Sequence, residues 1–184
     1  MVVNWARRTV VASLGGATLQ ASASLAAAPK LGAIPLATHE KAMREAINEA
    51  HGNPAFPFGA VIVRGDTGEI VARGINNTAA NPTFHGEIVA MHHYVERNGN
   101  KGWDAMILYT TGEPCPMCMS ALAWAGLGGV VFGSSIDTIR RSGIRQIDIT
   151  AKSVIEAAPF YHGELLGGVL QPDTDQLFLQ RKRS

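Results

Sequence analysis

Apolar and polar positions along the chain fall into short runs of two periods. Thr38 opens a stretch with Ala42, Ile47 and Ala50 at helical spacing, and Gly52-Asn53-Pro54 stops it. Thr38 is the expected N-cap of that helix. Residues 58–63 form an apolar run, Gly65-Asp66-Thr67-Gly68 a turn, and residues 70–75 a second run, which together predict a β-hairpin. Residues 82–98 predict a helix closed by Asn98-Gly99. A strand over 106–110, a helix over 115–125 closed by Gly126, and a strand over 130–132 follow. The stretch 136–158 predicts a loop with a short helix; 164–170 and 173–181 predict a last strand and a last helix. Strands alternating with helices predict an α/β domain with helices packed on both faces of a sheet.

Composition narrows the class. The chain has 184 residues, 46% hydrophobic and 17% charged, which suits one globular domain able to bury its own core. Its net charge of +1 lacks the broad basic excess of a dedicated nucleic-acid binder. The dense basic cluster Arg181-Lys182-Arg183 reads as a solvated tail. No apolar run is long and clean enough for a membrane span.

Residues 1–35 differ from the rest. They contain no acid; Arg7-Arg8 precede an apolar stretch over 10–19, and Ala21-Ser22-Ala23 and Ala26-Ala27-Ala28 offer small-residue cuts. That order is the order of a secretory signal, and the arginine pair is similar to a twin-arginine signal. The expectation is a removable leader over 1–35, export or periplasmic location, and a functional domain over 36–184; a cytoplasmic protein with an N-terminal extension is the alternative.

The two cysteines of the chain are Cys115 and Cys118. Three residues apart near a helix start, they share one face, where the helix N-terminus favours thiolate. Pro116 costs little there, because an early helical N–H has no intrahelical partner. His85-Gly86-Glu87 stands upstream. Thiolate and neutral imidazole are preferred zinc ligands, and three protein ligands leave the fourth position of a catalytic zinc open to water. The combination H-x-E with P-C-x-x-C is a known signature of zinc deaminases. His92 lies two helical turns, roughly 10 Å, from His85 and cannot share an ion with it. His39, His51 and His162 stay open as a fourth ligand that would make the site structural, and a Cys115–Cys118 disulfide stays open as a redox reading. Zinc lowers the pKa of bound water towards ~7, and a carboxylate beside it can carry protons. Glu87 is the expected carrier; on its own it also reads as an acid stabilising the first turn of a helix.

On Pro57-Phe58-Gly59-Ala60-Val61-Ile62-Val63, Asn81-Pro82-Thr83-Phe84-His85-Gly86-Glu87 and Glu113-Pro114-Cys115-Pro116-Met117-Cys118, the chain resembles the cytidine deaminase-like superfamily. Trp124-Ala125 and Pro159-Phe160-Tyr161 look most like bacterial guanine deaminases. The resemblance implies a three-layer α/β/α sandwich around a mixed five-stranded sheet, one Zn2+, a homodimer, and a small nucleobase or nucleoside as substrate. It also implies that Asn76 hydrogen-bonds the base and that Trp124 lies near the pocket. Read as residues, Asn76 equally fits a turn and Trp124 a core position; Phe58 and Phe160 fit either pocket or core. Gly86 stands where guanine deaminases commonly carry alanine, as it does in cytosine deaminases of yeast type, and reads as a small-for-small change. Asp137, Glu156 and Glu164 are the candidate acids for reading a guanine. The implied function is hydrolytic deamination of a purine base. Nucleoside, cytosine or tRNA-adenosine deamination and a non-catalytic zinc-stabilised binding module are the alternatives.

Overall fold

The computed structural model describes residues 28–182. The arginine pair and most of the small-residue stretch lie outside those residues. Six helices and five strands follow one another: α1 (Leu36–Ala50), β1 (Gly59–Arg64), β2 (Ile70–Ile75), α2 (Gly86–Asn98), β3 (Met106–Gly112), α3 (Pro116–Ala125), β4 (Gly129–Ser134), α4 (Ile136–Arg141), α5 (Ala151–Glu156), β5 (Glu164–Gly167) and α6 (Gln171–Leu179). Among the described residues no helix is long and apolar enough to cross a membrane.

The strands form one sheet in the order β2-β1-β3-β4-β5. β1 runs antiparallel to β2 and to β3, while β3, β4 and β5 are parallel. The alternation of β1 and β3 decides the two faces. Val61, Val63, Ile107 and Tyr109 pack with Met43 and Ala46 of α1. Ala60, Ile62 and Leu108 pack with Ala90 of α2 and Met119 and Leu122 of α3. Period-2 strands buried on both faces thus give the expected mixed five-stranded, three-layer α/β fold.

Element ends differ from the expectation for local reasons. The N-cap of α1 is Pro35, whose carbonyl accepts from the Thr38 and His39 amides; the fixed φ of proline starts the helix before Thr38 can cap it. Residues 81–85 stay outside α2, because the Asn81 carboxamide accepts from the Thr83 amide and hydroxyl and holds a turn. β5 stops at Gly167, where Gly168 and Leu170 take positive φ of 85° and 50° and turn the chain into α6. The stretch 136–158 carries two helices rather than one. Arg181 is no solvated tail: it donates to the Ala55 and Ser142 carbonyls and lies over the Phe56 ring.

Pro29, Leu31 and Ile34 are part of the packing although composition groups them with residues 1–35. Leu31 is buried at 3% exposure against the sheet face that α1 covers. Its amide donates to Glu164 Oε2, and its carbonyl accepts from His39 Nε2, whose Nδ1 pairs with the buried Tyr109 hydroxyl.

Candidate functional site

The sheet topology gathers the chemistry at one edge. β2, β3 and β4 all point the same way, so their C-terminal ends lie together, with the entry to β1 beside them. That edge holds Asn76 after β2, Glu113 to Cys115 after β3, Ser134-Ser135 at the end of β4, and Phe58 before β1. Ligand crevices of open α/β sheets form outside such carboxyl ends.

His85 and Cys115 are the N-cap residues of α2 and α3, both with extended backbone, and Cys118 follows in the first turn of α3. Two helix N-termini therefore converge on one point, and their free N–H groups favour negative charge there. His85 Nδ1 lies 3.6 Å from each sulfur, and the sulfurs are 3.7 Å apart, so the cysteines are free thiols rather than a disulfide. All three ligand atoms fall within 4.8 Å of one another, and among the described residues no other His, Cys, Asp or Glu joins them. These separations suit atoms sharing one ion at about 2 Å, and the S/S/N donor set is a zinc set with one position left open. His39 is engaged with Tyr109 and Leu31, and His93 pairs with the Arg73 carbonyl.

The thiols split in acidity. The Cys118 thiol and the His85 ring beside it pull Cys115 down to about 4, while the neighbouring Cys115 and burial push Cys118 well above its ordinary value. His85 is raised, chiefly by its contact with Cys115. One thiolate is tolerated beside the imidazole; a second needs a metal cation to balance it.

Glu87, one residue into α2, is 2% exposed, and its Oε2 has no hydrogen-bond partner. Burial pushes its carboxyl up to about 7, with the Cys115 charge adding to the effect. A nearby divalent cation would draw that value back down. Neither effect fits a solvated first-turn acid, which would stay exposed.

Backbone closeness fixes this edge. A Cβ at Gly86 would stand 2.5 Å from the Phe58 carbonyl oxygen, and one at Gly74 would collide with the Gly86 carbonyl. Glycine at 86 is therefore not interchangeable with alanine in this chain, contrary to the small-for-small reading. The tight approach sets the Phe58 ring parallel to the His85 imidazole at 6.3 Å. Asn76, 6% exposed, donates its amide to the Phe58 carbonyl, and its side-chain oxygen accepts from Thr78 Oγ1 at 3.1 Å.

Trp124 is not in the core. It is 78% exposed at the end of α3 and stacks on the exposed Phe160 at 4.6 Å. A groove of about 360 Å³ runs between α3 and α5 from Pro116, beside Cys115, to Trp124, Ile149 and Phe160. The three candidate acids lie elsewhere. Asp137 pairs with Arg141 on the surface, Glu156 with Lys152, and Glu164 holds the Leu31 amide. The acid at this edge that the sequence left without a role is Glu113, buried just before Pro114-Cys115, with both oxygens accepting backbone amides. Its position directly after a fully buried strand and directly before Pro114-Cys115 is the signal that could have drawn attention to it.

Residues 36–134 match the family model of the cytidine and deoxycytidylate deaminase zinc-binding region. The guanine deaminase of Bacillus subtilis (strain 168) is 36% identical over 125 residues, covering 64% of this chain and 76% of that protein. The tRNA-specific adenosine deaminase of the same organism is 32% identical over 137 residues, covering 71% and 80%. The solved guanine deaminase of Nitrosomonas europaea shares the fold, with a TM-score of 0.62 at 22% identity over 83% of this chain and 86% of that one. The buried S/S/N cluster, the acid beside it and these matches agree: the chain belongs to the cytidine and deoxycytidylate deaminase family and is a zinc-type hydrolytic deaminase.

Proposed function

We propose that this protein deaminates a purine base of the guanine type, with His85, Cys115 and Cys118 holding zinc and Glu87 carrying protons. The observation that carries the reading is the buried Glu87, its Oε2 unpartnered, beside the S/S/N cluster. The 36% identity to a guanine deaminase supports a base as substrate, and tRNA-specific adenosine deaminases at up to 35% identity keep the polynucleotide as the reading the test must separate. The pinning of Arg181 also removes one cation from the basic cluster that a nucleic acid would meet.

Bound zinc would supply a Lewis acid that activates water near neutrality. The protein's own residues do the rest. Water oxygen bonds to the amine-bearing ring carbon while Glu87 takes its proton and delivers it to the adjacent ring nitrogen. Glu87 then moves the remaining hydroxyl proton to the amine, the C–N bond breaks, and ammonia leaves as the ring carbonyl forms. A carboxyl that burial pushes up and a neighbouring cation would draw down is suited to both directions of transfer. Asn76 orients the base at the strand end, and Trp124 with Phe160 shields one side of the mouth. The exposed apolar set of Trp124, Phe160, Ile147 and Ile149 also supports a homodimer that covers it; light scattering tests that directly.

The test is ammonia release by the zinc-loaded protein offered guanine, adenine, cytosine, adenosine, cytidine and a tRNA anticodon stem-loop, with Glu87→Ala as control. Release from guanine and none from Glu87→Ala is the expected result. Release from the stem-loop alone would replace the base with a polynucleotide.

A further inference from the structure

Glu113 stands between the metal loop and the part of the chain that walls the groove. It is 7% exposed. Its amide donates to the Ser134 carbonyl at 2.7 Å, which extends the pairing of β3 with β4. Its carboxylate then divides. Oε2 accepts from the Ile136 amide at 2.9 Å, and Oε1 accepts from the Ala151 amide at 2.9 Å. These are the first residues of α4 and α5, two six-residue helices separated by a loop.

Each helix touches a different part of the site. Ile139 of α4 packs with Phe58, the ring stacked on His85. α5 and its flanks supply Ile149, Val154 and Phe160 to the groove that begins at Pro116. α5 is too short to hold itself in place. Its Thr150 N-cap is exposed and local, accepting only from Ser153. The buried carboxylate of Glu113 is the polar tie between α5 and the end of β3.

We propose that Glu113 is a positioning residue that sets substrate specificity: one carboxylate fixes both walls of the mouth to the strand end that carries Cys115 and Cys118. Pocket width is thereby set by a side chain whose backbone leads directly into the metal loop. The chemistry demands a glutamate. Two backbone donors need two acceptor oxygens, glutamine offers one and turns an N–H against an N–H, and aspartate is one methylene short. Buried carboxylates accepting backbone amides make strong, charge-assisted bonds, so loss of one releases a wall rather than loosening it slightly. The ligand loop keeps its own support, through the Glu113 amide and the helix start of α3.

The inference rests on the site reading above, and its test separates the two. Glu113→Gln is made in the full chain and assayed on the base that the wild type turns over best and on the next base it accepts. The expected result is a KM raised roughly tenfold with kcat within about threefold, as loss of one hydrogen bond to a charged group implies. The preference between the two bases narrows and zinc content is unchanged. Amide exchange over 144–158 speeds up, while β3 and β4 keep their protection. Loss of zinc together with kcat, at unchanged KM, would overturn the proposal and make Glu113 a support of the ligand loop. Unchanged exchange over 144–158 would also overturn it. Glu113→Asp, which keeps the charge but is one methylene short of spanning both amides, covers the case in which Glu113→Gln does not fold. It should raise KM with zinc and kcat retained, and an unmoved KM sinks the idea. Should the wild type release ammonia from no base, the substrate reading fails, and exchange and zinc content still decide the clamp.

Discussion

The edge that carries the metal ligands and the wall that faces it are built by opposite means. At the ligand edge, backbone meets backbone: Gly74, Gly86 and Phe58 approach so closely that no Cβ fits, and the side chains that matter sit at helix starts fixed by the sheet. The wall over 136–160 has two one-and-a-half-turn helices, exposed Ile147, Ile149 and Phe160, and one buried carboxylate tying both helices to the sheet. Chemistry that needs sub-ångström placement is carried by the elements with the most backbone packing. Selection among substrates is left to elements that few interactions hold, where sequence can vary without disturbing the metal.

The comparison breaks if changes at the edge and at the wall have the same signature. The largest expected effect is Glu87→Ala, a fall in kcat of roughly 10²–10⁴-fold with zinc retained, measured by ammonia release and metal analysis. Next is acidification. Cys118 is raised and must lose its proton to ligate, and His85 is raised too, whereas Cys115 is ionised down to about pH 4. Zinc affinity should therefore weaken steadily as pH falls through the neutral range, with the released proton coming from Cys118; calorimetry in buffers of different ionisation enthalpy reads both. Gly86→Ala should then cost about 1–3 kcal/mol of stability by thermal melt, because its Cβ meets the Phe58 carbonyl and not a movable side chain. Asn76→Ala should raise KM by roughly tenfold while leaving the melt nearly unchanged. The smallest effect is Trp124→Ala, a rise in KM of about 2–10-fold from the lost stack on Phe160. A larger fall in kcat for Trp124→Ala than for Glu87→Ala would erase the division between edge and wall.

The ligand edge was legible in the sequence because its chemistry is local. Cys115 and Cys118 share a helix start, and His85 and Glu87 share another; the fold has only to bring two helix N-termini together. The hairpin and the succession of strands and helices along the chain followed from period and turn residues for the same reason, while the mixed five-stranded sheet was implied by the resemblance. The wall was not legible. Two helices within 136–158 are too short for a helical period to emerge, and what places them is Glu113, some twenty and forty residues away in sequence. Trp124 was ambiguous because an apolar helix end gives no sign of which face the sheet covers. The tightness at Gly86 lies between three separate segments, and no pattern within one of them records it.

The segment around Leu31, ahead of α1, has a practical corollary. Leu31 is buried against the sheet face, its amide donates to Glu164 and its carbonyl accepts from His39, which also pairs with Tyr109. Trimming the chain to Leu36, at the point where composition changes, would open a void the size of a leucine and leave His39 Nε2 without its acceptor. Expression design meets a limit there: Leu31 is buried and Pro29 and Ile34 are half-buried, so a boundary placed upstream of Pro29 keeps these contacts with the sheet.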